Sequence, residues 1–71
     1  MTRDEAMDQL LALDAQYEQI TGHNAYLYVG ESNGRRGFLF EGGEVMDSAA
    51  SALVHMKSLV HELAIKLSES D

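Results

Sequence analysis

The sequence predicts an α+β domain in the order α-β-β-α, an antiparallel hairpin packed under two helices. Three observations predict it. Asn33-Gly34 stands between two apolar runs, residues 25–29 and 38–40, and Asn-Gly is the strongest short-range hairpin signal because both loop residues must adopt φ > 0. Before the hairpin, Ala6, Leu10, Leu13, Tyr17 and Ile20 recur at helical spacing. After it, Ala49, Leu53, Met56, Val60, Leu63 and Leu67 do the same, widened by Ala52 and Leu59.

The first helix is expected over residues 3–21. Thr2 and Glu5 have the spacing of a capping box, in which each satisfies a donor at the helix start. Asp4, Glu5 and Asp8 suit the positive end of the helix dipole, and Gly22 suits the left-handed residue that ends a helix. If Asn33 and Gly34 are the two loop residues, the register follows by counting outward. Val29 then faces Phe38, Tyr28 faces Leu39, Leu27 faces Phe40 and Glu31 faces Arg36. One face of the ribbon would carry Val29, Phe38, Leu27 and Phe40 beneath both helices, and the other Tyr26, Tyr28 and Leu39. The second helix is expected from about residue 45 or 48 to about 67, with Ser48, Ser51, His55, Ser58, Glu62 and Glu69 on its polar side. Residues from about 68 should fray.

The 71 residues make one small domain, 1–71, near the lower limit at which a single core holds a fold. Chains of this size usually add disulfides, a metal or self-association. The sequence has no Cys and no evident metal site, which leaves association. The apolar outer face points the same way, so a homo-oligomer is expected, with Tyr26, Tyr28, Leu39, Val54 and Ile65 at its interface. No apolar run approaches the roughly 20 residues of a membrane span, and the N-terminus lacks the basic and apolar regions of a signal peptide. A cytoplasmic protein without membrane contact is the expectation.

Twelve Asp and Glu against five Lys and Arg give a formal charge of -7. That balance argues against direct nucleic-acid binding, which needs clustered cations to displace counterions. It suits a basic protein surface as partner. Enzyme chemistry finds no foothold. His61-Glu62 begins a zincin-like motif, but Ile65 occupies the place of the second ligand. His55 and His61 diverge by about 120° around a helix, unsuited to joint coordination. The glycines of residues 30–37 join two strands, whereas a phosphate loop leads from a strand into a helix. No serine has a base held beside it by a recognisable motif. No catalytic residue, cofactor or metal is therefore expected.

Two features have no stability rationale. Met7 and Leu11 point away from the core stripe of the first helix and sit among Asp4, Asp8, Asp14 and Glu18. Asp4/Asp8 and Asp14/Glu18 are like-charge neighbours four apart, a mildly unfavourable arrangement. These six residues are the expected partner-binding face of a small acidic interaction protein that binds and blocks a partner. Its size and charge are those of an accessory or inhibitor protein, of the kind phages direct against host defences. The alternative rests on Arg35 and Arg36, two of the five cations, placed together at the hairpin tip. An oligomer could use them, with His23 or Tyr28, to bind a small anionic ligand such as a nucleotide.

Overall fold

The computed structural model describes residues 1–69. Helix α1 spans Arg3–Thr21, strand β1 Tyr26–Ser32, strand β2 Arg35–Phe40, strand β3 Val45–Met46 and helix α2 Ala49–Glu69. The strands form one antiparallel sheet in the order β1-β2-β3. The predicted α-β-β-α order holds, with a short third strand added. Helix α2 continues past the expected fraying point at 68, and Ser70 and Asp71 lie outside the described residues.

The helix ends are built from the capping residues. Thr2 Oγ1 accepts the Glu5 N–H at 3.1 Å and donates to Glu5 Oε1 at 3.1 Å. Gly22, at φ 87°, closes α1 by donating its N–H to the Glu18 carbonyl at 2.8 Å. At the other helix, Ser48 Oγ accepts the Ser51 N–H at 3.1 Å and the Ser48 carbonyl accepts the Ala52 N–H at 2.9 Å. The hairpin turns at Asn33 (φ 54°) and Gly34 (φ 78°), the two positive-φ residues the turn requires.

Val29 faces Phe38, Tyr28 faces Leu39 and Glu31 faces Arg36, as counting from the turn predicts. Beyond Tyr28 the register changes. A bulge between Tyr26 and Tyr28 puts Tyr26, not Leu27, opposite Phe40. One extra residue inverts the facing of everything beyond it. Tyr26 therefore enters the core beside Phe38 and Phe40, with ring centroids 6.2 and 5.6 Å away. Leu27 is turned out. Val29 also stays exposed, although it shares a face with Phe38, because β1 is an edge strand and the buried cluster centres on β2. The expected burial of Leu27 and Val29 is thus corrected.

Of the two expected starts of the second helix, 45 and 48, the later one holds, with Ser48 capping α2, and a third strand takes residues 45–46. Gly42 (φ 94°) and Gly43 (φ 86°) reverse the chain so that Phe40 N–H meets the Glu44 carbonyl at 2.9 Å. Val45 then pairs with Leu39 and Met46 with Phe38. Leu39 is flanked by Tyr28 on one side and Val45 on the other, and it is buried within the single chain. Helices α1 and α2 close the other face through Ala6, Leu10, Ala49, Ala52, Leu53 and Met56. Leu13, Tyr17, Leu59 and Val60 pack around this cluster, whereas Ile20 and Leu67 at the helix ends are exposed.

Gly37 is held by close backbone approach. A Cβ there would lie 2.2 Å from the Met46 carbonyl oxygen, so any side chain must push β3 away. A Cβ at Gly30 would meet the Tyr28 ring at 2.7 Å, and that side chain can swing aside. Gly37→Ala should therefore lower stability by about 1–3 kcal/mol, the usual range for overpacking. Urea denaturation should show a clear loss for Gly37→Ala and a smaller one for Gly30→Ala. Equal effects would contradict this packing.

Candidate interaction face

Helix α1 has an outward flank and an inward one, and its acidic residues divide between them. Asp4, Asp8, Leu11 and Glu18 are exposed, and Met7 is half-buried against the core. Asp14 is different: it is 6% exposed. Its Oδ1 accepts the Ala25 N–H at 2.9 Å and the Tyr26 N–H at 3.2 Å, and its Oδ2 accepts from Asn24 Nδ2 at 2.9 Å. The same Asn24 amide donates to Glu18 Oε2 at 2.7 Å. Asn24 thus bridges the Asp14/Glu18 pair, which explains how two carboxylates four apart are tolerated. Asp14 is a fastening between α1 and β1 and leaves the solvent-facing acidic set. The sequence held a signal for this: Asp14 lies only about 40° from Leu10 around the helix, against about 80° from Asp4.

Strand β1 supplies the apolar part of the face. Leu27 is 50% exposed, Tyr28 59% and Val29 44%. Leu11, 50% exposed, joins Asn24, Leu27 and Tyr28 around a depression that Asp14 and Tyr26 also line. Among the five residues expected at an oligomer interface, Tyr26 and Leu39 are in the protomer's own core and Tyr28 is exposed on the outer side of the sheet. Val54 and Ile65 are exposed on α2, outside that depression.

Positive charge lies elsewhere. Arg35 and Arg36 are exposed at the hairpin tip and form no ion pair among the described residues, although Arg36 stands opposite Glu31. Arg3 turns its guanidinium over the Phe38 ring, 5.8 Å from the centroid. Two His–Glu pairs were not foreseen: His23 Nδ1 to Glu41 Oε2 and His55 Nε2 to Glu44 Oε2, each at 2.7 Å. They tie the two ends of the 41–44 loop to the α1–β1 connection and to α2. His55 also meets Phe40 edge-on at 4.6 Å, and His23 meets Tyr17 at 5.6 Å. The sequence spacing of these pairs carries no local signal, because each joins elements that lie apart in the chain. Among the described residues no three His, Asp or Glu side chains converge as a metal site. No described helix is long and apolar enough to cross a membrane.

No family model matches the chain, and no curated protein or solved structure matches it. The face has to be read from its own chemistry.

Burial pushes the pKa of the Tyr26 phenol above its ordinary value; Arg3 opposes the shift and Asp14 adds to it. The folded chain then holds this proton more tightly than the unfolded chain does. Its contribution is intact below about pH 10, the unfolded value, and is lost as pH rises above it. Tyr26→Phe should flatten the alkaline decline of stability relative to wild type, measured by urea midpoints between about pH 9 and 11. Parallel declines in the two proteins would show that Tyr26 does not titrate with folding.

Proposed function

We propose that this protein is a non-enzymatic interaction protein that binds a basic surface of a partner protein and blocks it, using the outward flank of α1. The observation that carries the reading is the half-exposed Leu11 set among Asp4, Asp8 and Glu18 on one helix side. Helix α1 has five acidic residues and one cation. That cation, Arg3, is drawn over Phe38, so it does not neutralise the flank. Apolar anchors within a charged surround contribute affinity at the centre and steering at the rim. The overall charge of -7 adds long-range attraction toward a cationic surface. Met7, half-buried, borders the anchor, while Asp14 belongs to the fold.

We also propose that the protein works as a homo-oligomer. The support is the row Leu27, Tyr28 and Val29 along a strand paired on one side only. The competing reading, an anion site at Arg35 and Arg36, has the exposed charge of the pair as its support.

The test is association kinetics with the captured partner. Asp4→Asn combined with Asp8→Lys should slow association by about tenfold or more at low salt, with the difference shrinking as salt rises. Thermal stability should change little. A partner that binds the double variant at the wild-type rate would remove the acidic flank from the site.

A further inference from the structure

The hydrogen-bond parity of the hairpin decides what the open side of β1 presents. Ser32 and Arg35 close a two-residue loop and form the hydrogen-bonded pair, so hydrogen-bonded and open pairs alternate outward from them. Gly30 and Tyr28 direct their backbone groups to β2. Val29 and Glu31 direct theirs to the open edge. The stretch 28–32 is free of the bulge at Leu27, and it contains no Pro and no Lys. Natural sheets usually guard an exposed edge with such residues.

We infer that β1 pairs edge to edge with β1 of a second copy, antiparallel about a two-fold axis at Gly30, to give a continuous six-stranded sheet. The proposal rests on the homo-oligomer reading above and names its surface. About this axis Val29 stands opposite Glu31 of the second copy, and Ser32 opposite Tyr28. Both Val29–Glu31 pairs exchange backbone hydrogen bonds, so every edge-facing group of the bulge-free stretch is satisfied. Any other centre runs the pairing into the bulge at Leu27 or off the end of the strand. The two Gly30 residues meet at an open pair, where antiparallel backbones approach most closely. The Tyr28 ring already lies over Gly30 in each copy and covers the seam from outside.

Charge favours this contact between like molecules. A protein of charge -7 repels its copy overall. The hairpin end is net positive, with Arg35 and Arg36 against the single Glu31, whereas α2 is balanced at two Lys against two Glu. Antiparallel pairing also directs this cationic tip toward the Asn24–Glu18 end of the second copy's α1. There the tip meets Glu18, an exposed carboxylate. Asp4 and Asp8, at the other end of α1, stay open to a basic partner.

The chain has no Cys, so single substitutions report the register directly. Light scattering at micromolar concentration should first show a dimer. Val29→Cys and Glu31→Cys proteins, mixed and then oxidised, should cross-link to each other, because an antiparallel hydrogen-bonded pair holds Cα atoms about 5.5 Å apart. Each variant alone should give little dimer, since the like residues then lie about 8 Å apart or more, beyond disulfide reach. Val29→Glu, which sets a like charge opposite Glu31 of the second copy, should weaken the dimer at least tenfold with the circular dichroism spectrum retained. A monomeric wild type would overturn both the oligomer and the edge pairing. A wild-type dimer in which the mixed pair fails to cross-link would overturn the edge pairing about Gly30 and leave the oligomer standing. Efficient cross-linking of Val29→Cys alone would overturn this register in favour of one centred on Val29.

Discussion

The Asp14 carboxylate is the constraint on which the rest of this structure depends. It takes two consecutive backbone N–H groups, from Ala25 and Tyr26, at the point where the chain enters β1. Both N–H groups are buried, and buried donors without partners are costly. Helix α1 and strand β1 are therefore joined at a fixed place, independent of side-chain packing. With Tyr26 held there, its ring goes into the core against Phe38 and Phe40. The single extra residue between this anchor and the hairpin register has to bulge, and that residue is Leu27. One hydrogen-bonded fastening thus selects which of two adjacent apolar residues is buried. The asymmetry between a filled core and an apolar edge follows from it.

That choice separates stability from recognition. Strand β2 is central and paired on both sides, and it contributes Phe38, Leu39 and Phe40 to the interior. The His–Glu pairs and the close approach of Met46 to Gly37 hold the short β3 against it. The outer flank of α1 and the open edge of β1 contribute little to this interior. They carry exposed Leu11, Leu27, Tyr28 and Val29 together with most of the acidity of α1. In our reading these are the surfaces kept for binding, one for a basic partner and one for a second copy.

Local signals in the sequence were legible where the chemistry is local. Thr2 with Glu5, Gly22 and Asn33-Gly34 act through their own backbone or through residues within one turn, and each does in the structure what its type implies. Gly42-Gly43 was equally local and is a hairpin signal in its own right, but the following Val45-Met46 is too short to show a period of two. Helical continuation into Ser48 concealed the strand. The bulge at Leu27 was not legible, because alternation alone fits either Leu27 or Tyr26 facing inward. A contact between residues 14 and 26 decides between them. For the candidate site, exposure of Asp4, Asp8, Leu11 and Glu18 followed the helical period. The loss of Asp14 from that set came from the same distant contact.

The most direct measurement of the fastening is residue-resolved amide hydrogen exchange in wild type, Asp14→Asn and Asp14→Ala. In wild type the Ala25 and Tyr26 amides should exchange as slowly as those of Phe38 and Phe40. Asp14→Asn keeps one carbonyl acceptor and should fold with those two amides exchanging at least tenfold faster. Asp14→Ala leaves both donors unpaired and should lower global stability by about 2–4 kcal/mol. Slow exchange of Ala25 and Tyr26 retained in both variants, with stability unchanged, would contradict the account.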